Sequence, residues 1–220
     1  MKTSARGTGD GSRAFVFLDP GVAFDLFPIF LKLGGRPVLV VGGGVVAASK
    51  IEALRTAGAE ITVVAPHVSE PIRASGVRVV ERGFEPADLD GQWLVVAAAT
   101  AEVNRMVAEE SERRRVFVNA VDDPANASAY LGGVLRRDGV AIAISTIGRA
   151  PALAGLLREG LDALLPVDLD EWFRRADELK REWRSKDVPM EARRPQLMEA
   201  LVKLYDDRRK RQSVGTGEPS

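Results

Sequence analysis

Three small residues, set between two patterned segments, are the first in this chain whose types and spacing suit binding chemistry. Gly42-x-Gly44-x-x-Ala47 follows the apolar run Pro37-Val-Leu-Val-Val41 and opens a segment in which Ala47, Ile51 and Leu54 recur at spacings of four and three. A strand before and a helix after are the setting that a dinucleotide-binding turn requires. Gly42 then permits the tight turn, Gly44 lets the backbone approach a pyrophosphate, and Ala47 lets the helix pack close to the sheet. The amides of Gly43, Gly44, Val45 and Val46 point from the helix start, where the dipole favours anionic oxygen. The bland alternative is a turn that merely joins strand to helix.

Other polar residues fall at the ends of later apolar runs. A dinucleotide site usually carries Asp or Glu about 20 residues beyond the glycines, on the ribose 2′-hydroxyl. Here the second run ends in Val64-Ala65-Pro66-His67, so a choice between NAD and NADP is not legible as a carboxylate. Pro66 and His67 fall where a ribose would lie, although a lone histidine there is equally at home in a solvated loop. Ala98-Ala99-Thr100, with Asn104 a turn later, ends the fourth run. Small residues there leave room for a second ribose, while helix capping by Thr100 accounts for them as economically. Asp122 ends Asn119-Ala-Val-Asp122 as a carboxylate able to take a proton. Asp123, before Pro124, fits a turn cap, and spacing alone does not separate the two acids.

The elements that must position these residues alternate. Strands are predicted at Pro37–Val41, Glu60–Ala65, Val77–Val80, Trp93–Ala99 and Val116–Val121, with helices at Val45–Ala57 and Val103–Arg113 between them. Such alternation predicts an α/β fold, a Rossmann-like parallel sheet with helices on both faces. Val140–Ile144 reads as a further strand. Beyond Pro151 the pattern turns helical over Ala152–Leu165 and Leu169–Trp183, then again over Gln196–Tyr205 after breaks at Pro189 and Pro195. Trp172, Phe173, Leu179 and Trp183 read as an ordinary packed face.

Composition excludes several classes. Thirty-one basic and thirty-one acidic residues give a net charge of +0, so no global field draws the chain to nucleic acid or an anionic membrane. Zero cysteines and the single histidine His67 exclude thiolate chemistry and argue against a metal site. No apolar run approaches the ~20 residues that span a bilayer. The expectation is a cytoplasmic protein with flexible ends at 1–22 and 207–220. Arg113-Arg114-Arg115 serves a helix C-terminus, and Arg208-Arg-Lys-Arg211 is too short to suggest nucleic-acid binding.

Taken together, the motifs resemble the precorrin-2 dehydrogenases, which occur alone or as the N-terminal part of siroheme synthase. The resemblance rests on Phe27-Pro-Ile-Phe-Leu-Lys-Leu33, Val38–Ala47 with Lys50, Val63-Val-Ala-Pro66, Ala97-Ala-Ala-Thr100 with Asn104, Asn119-Ala-Val-Asp122, and Ile144-Ser-Thr-Ile-Gly148 with Ala150-Pro151. It implies NAD as cofactor and oxidation of precorrin-2 to sirohydrochlorin, followed in some members by insertion of ferrous iron or cobalt. It implies Asp122 as the residue of chemistry, and Ser145 and Thr146 near the tetrapyrrole. It also implies a homodimer. The domains then read as 23–131 for the NAD-binding part, 132–167 for dimerisation and substrate pocket, and 168–206 for a helical C-terminal domain.

A polycarboxylate substrate calls for cationic forks. Arg149 is the candidate, with Arg136, Arg137 and Arg158 nearby in sequence and a solvated surface as the alternative for each. The chain departs from the family where the usual Ser-Phe-x-x-Pro-Ala becomes Ser128-Ala129-Tyr130-Leu131-Gly132-Gly133, and where Gly-x-Ser-Pro becomes Gly148-Arg149-Ala150-Pro151. These departures keep open a second class, a regulatory module that senses NAD without chemistry.

Overall fold

Short runs rich in β-branched residues form a five-stranded, wholly parallel sheet in the order β3-β2-β1-β4-β5. In a computed structural model the described residues are 26–147 and 149–214, with side chains described through 206. The expected extension over 1–22, Gly148 and residues 215–220 lie outside them. The chain divides into two compact units, Met1–Lys32 and Leu33–Ser220, and every element named below belongs to the second.

The strands are β1 (Pro37–Val41), β2 (Glu60–Val64), β3 (Arg78–Val80), β4 (Leu94–Ala97) and β5 (Phe117–Ala120). Central β1 pairs Val38–Val41 with Ile61–Val64 on one side and Leu94–Ala97 on the other. Val38 and Val40 point to one face and Leu39 and Val41 to the other, and all four are buried. That is why the run is continuously apolar rather than alternating. Between β1 and β2 lies α1 (Val45–Thr56), which buries Ala47, Ile51 and Leu54. Between β4 and β5 lies α3 (Ala101–Arg114), which buries Val107 and Ala108 in a cluster with Leu39, Val41, Val64, Leu89, Val95 and Val118. A short α2 (Glu70–Ala74), not foreseen from sequence, follows β2.

Val140–Ile144 is a strand, but it does not join this sheet. As β7 it pairs antiparallel with β6 (Gly133–Arg137) in a separate two-stranded ribbon. Asp138 and Gly139 both take positive φ, 45° and 86°, as a tight two-residue hairpin turn demands. Helix α4 (Pro151–Leu164) packs on the ribbon. Arg137 clamps the two by donating to the Asp162 carboxylate and to the carbonyls of Asp162 and Leu165.

The last helices are α5 (Leu169–Ser185) and α6 (Met190–Val214). Pro195 is not the break that sequence suggested: it lies inside α6. Its fixed φ is already helical, although as the sixth residue it removes one hydrogen bond of the helix. The helix also runs on through the first part of the segment read as a tail. Trp172 meets Tyr205 edge-on at 6.2 Å, and Trp183 donates to Gln196 at 2.6 Å, so these indoles join α5 to α6.

Leu39 is 1% exposed at the centre of the sheet. Leu39→Ala is expected to lower unfolding free energy by about 2–5 kcal/mol in urea titration, and a loss under about 1 kcal/mol would contradict this placement.

Candidate functional site

The carboxyl ends of β1, β2 and β4 converge on one turn. The ladder continues beyond the strands: the Gly42 amide donates to Val64 O at 3.0 Å, and the Ala98 amide donates to Val41 O at 2.8 Å. Gly42 has φ +130°, a conformation that side chains rarely adopt, and a Cβ there would lie 2.2 Å from Ala98 O. At Gly43 a Cβ would lie 1.9 Å from His67 O. Both glycines are thus required by the approach of other backbone, with or without a ligand. The Ser69 amide then donates to Gly43 O at 2.8 Å, which fixes the Ala65–Ser69 loop as the second wall of the turn.

Gly44 differs from its neighbours. A Cβ there would meet nothing within 4 Å, so the space before it is open. It is the N-cap of α1 and has no side-chain cap, while Val45 and Val46 beside it are 82% and 46% exposed. First-turn amides have no partner within their own helix, so those of Val45 and Val46 are donors facing open space at the positive end of the helix dipole. An open cradle lined by backbone donors fits the diphosphate of a dinucleotide.

Pro66 and His67 are exposed on the β2 side of this turn. Close to them, Arg73 grips Glu81 through two hydrogen bonds of 2.5 and 2.9 Å and holds its carboxyl below the usual range. Farther along, Arg82 does the same to Asp88, chiefly by hydrogen bonding. On the β4 side, buried Asn104 accepts from the Ala99 amide at 3.0 Å, and Thr100 accepts from the Val103 amide at 3.4 Å as the N-cap of α3. The capping role of Thr100 is therefore present, and Asn104 sets the path of the loop facing Gly42.

Strand β5 ends on the same edge, next to β4, and the Val121 amide continues its ladder onto Ala97 O at 2.9 Å. The two adjacent acids then separate. Asp123 accepts from Asn126 at 2.7 Å within the turn Pro124–Asn126. Asp122 is exposed, takes φ 56° and has no hydrogen-bond partner among the described residues. The Asp122–Tyr130 loop is tied back at several points. Tyr130 donates to Pro124 O at 3.1 Å, Asn119 donates to Ala129 O at 2.9 Å, and the Val118 amide donates to Ser128 Oγ at 2.9 Å.

That loop leads straight into the ribbon. A Cβ on Gly132 would lie 2.0 Å from Ile144 O and 3.5 Å from the Ser145 Cα, so Ser145 sits beside the strand that enters β6. Ser145 Oγ accepts from the Ile147 amide at 3.2 Å, and the Arg149 amide donates to Thr146 O at 3.0 Å. Ile147 has φ 56°, an outlier for a β-branched residue. The Arg149 guanidinium is exposed, whereas Arg137 and Arg158 are engaged with Asp162 and Glu159. Asn119, Ser128 and Tyr130 brace the loop through bonds spanning six to ten residues that no spacing pattern announces.

Sheet order, glycine turn and open helix start define an NAD(P)-binding protein of the Rossmann class. Residues 29–133 match the family model described as "Putative NAD(P)-binding". Siroheme synthase 1 of Aeromonas hydrophila is 39% identical over 182 residues, 80% of this chain and 39% of that protein. Siroheme synthase of Methylobacillus flagellatus is 42% identical over 148 residues, 65% of this chain and 32% of that protein. This chain thus spans about a third of the length of such curated relatives. The solved structure of "SirC, precorrin-2 dehydrogenase" superposes with a TM-score of 0.59 at 26% identity, covering 79% of this chain and 88% of that one. The chain thus has an NAD(P)-binding segment over 29–133 and is similar to siroheme synthases and to a precorrin-2 dehydrogenase.

The glycines predict contrasting variants. Gly43→Ala drives a methyl group into His67 O and should cost about 2 kcal/mol or more of stability. Gly44→Ala should cost under about 1 kcal/mol, yet weaken dinucleotide binding at least about tenfold, as read by thermal melting and NADH fluorescence titration. Equal effects of the two on stability would refute the distinction.

Proposed function

We propose that this protein is a cytoplasmic precorrin-2 dehydrogenase that oxidises precorrin-2 to sirohydrochlorin with NAD in siroheme synthesis. The observation that carries the reading is an exposed, unpaired Asp122 carboxylate at the end of β5, on the edge that also holds the open Gly44–Val46 cradle. Gly42, Gly43, Gly44, Val45 and Val46 hold the diphosphate through backbone amides. Pro66 and His67 flank the adenosine side, and Ala99 and Thr100 leave room on the nicotinamide side. When bound, the nicotinamide supplies the carbon that accepts a hydride.

The protein supplies placement and a base. Removing two hydrogens from the reduced macrocycle releases a hydride to the dinucleotide and a proton, which Asp122 accepts and passes to water. Its αL backbone turns the carboxylate out of the β5 ladder, while Asp123 and Tyr130 keep the loop in place. Ser145, Thr146 and Arg149 meet the macrocycle and its carboxylates from the ribbon side, with the exposed Arg149 as a cationic fork. The same Asp122 carboxylate is suited to receive pyrrole protons when ferrous iron enters sirohydrochlorin. Iron is then a substrate.

The altered Ser128–Gly133 segment favours a second reading, an NAD sensor without turnover. Anaerobic incubation with precorrin-2 and NAD separates the two. The enzyme gives NADH and the sirohydrochlorin spectrum in equal amounts, whereas binding of NAD without spectral change would reject catalysis. Asp122→Ala should lower kcat by about 10²–10⁴-fold while NAD affinity stays within about threefold.

The second copy in a homodimer is proposed to lie on α4 and the ribbon. Leu156 is 66% exposed and Leu164 80% exposed on the helix that packs against the ribbon, an apolar surface suited to a second copy. Sedimentation should give twice the chain mass for the wild type and a monomer for Leu156→Asp. A monomeric wild type would overturn the assignment.

A further inference from the structure

The β2 side of the turn lacks the feature that usually excludes a 2′-phosphate. A carboxylate at the end of the second strand accepts the ribose hydroxyl of NAD and repels the phosphate of NADP. Here the backbone itself shows which residues hold that place. Gly43 abuts His67 O, and Ser69 bonds Gly43 O at 2.8 Å, so the Ala65–Ser69 loop borders the diphosphate cradle. Its exposed side chains are Pro66 and His67.

The nearby charges do not replace the missing carboxylate. Glu81, close enough to His67 to feel its charge, has both oxygens engaged by Arg73. Asp88 is likewise held by Arg82. Glu70, at the start of α2, interacts with Arg73 as well. Glu81 and Asp88 thus have their oxygens held by arginines, Arg73 is shared between Glu81 and Glu70, and His67 is the exposed polar side chain of the loop beside the turn.

We propose that the adenosine-ribose end of this site is permissive, taking NAD and NADP with comparable affinity, and that position 67 sets the discrimination. The inference rests on the dinucleotide reading of the turn and names the ligand class more closely. An imidazole there can donate to a 2′-phosphate or accept from a 2′-hydroxyl, whereas a carboxylate could only accept. A fixed negative charge at hydrogen-bond range from a phosphate costs about 1 kcal/mol or more even in well-screened surroundings, which is about tenfold or more in affinity.

Fluorescence titration of the full chain with NADH and NADPH tests this through the ratio of the two Kd values. The wild type should show a ratio within about tenfold of unity. His67→Asp should raise the NADPH-to-NADH Kd ratio about tenfold or more, and His67→Lys should lower it below the wild-type value. A wild type that prefers NADH by more than about tenfold, or a ratio unmoved by both variants, overturns the inference and leaves the dinucleotide site standing. Binding of neither nucleotide would instead overturn the reading of the turn, and this inference with it.

Discussion

The close approach of three backbone segments at Gly42 and Gly43 is the constraint on which the rest of the structure depends. A parallel sheet brings the carboxyl ends of neighbouring strands to one edge, but side chains normally hold the loops beyond them apart. Here the Ala98 carbonyl occupies the place of a Cβ on Gly42, and the His67 carbonyl occupies that of Gly43. The loops after β2 and β4 therefore wrap the turn after β1, and α1 begins in the crevice between them. Its unsatisfied amides are thereby directed at a space with walls on both sides. Strand order does the rest, since β1 lies at the point where the chain switches from building toward β3 to building toward β5.

The same edge explains how a base is delivered to the site. Among the described residues no strand lies beyond β5, and the edge is covered by residues 128 and 129, whose amides both donate to Val118 O at 2.9 Å. That return segment closes the Asp122–Tyr130 loop and carries the chain into the ribbon. Dinucleotide edge and ribbon are consequently joined through one braced connection rather than a free linker. The family departures at Ala129 and Tyr130 fall in this brace, and the Tyr130 hydroxyl contributes a tie of its own to Pro124 O.

How far the sequence revealed this depends on the range of the interactions. The β1 run, the glycines and the Ala47, Ile51 and Leu54 stripe are local and sufficient, because burial on both faces and the helical period both leave marks over a dozen residues. Thr100 as a cap was legible for the same reason. The ribbon was half legible: Val140–Ile144 read as a strand, while β6 carries Arg136 and Arg137 and lacks an apolar run. Asp138-Gly139 is the local mark of the hairpin turn between the two strands. Pro195 lies within α6 although proline disfavours a helix interior, and nothing local marks the exception. Asn119 and Ser128 bond backbone ten residues away, and no spacing rule predicts which carbonyl or amide such a side chain will meet.

The two adjacent acids show the limit most clearly. Asp122 and Asp123 are chemically alike and one residue apart, so composition and spacing treat them as equals. The distinction is made by the backbone. A left-handed residue at 122 ends the β5 path and turns the following side chain inward, where Asp123 accepts from Asn126 and closes the Pro124–Asn126 turn. The partner that engages Asp123 thereby leaves Asp122 without one. Asp is several-fold enriched among the non-glycine residues that adopt this conformation. Strain at position 122 is therefore modest, and its consequence is geometric: an ionisable group is held outside the strand ladder, on the rim that the glycine turn defines.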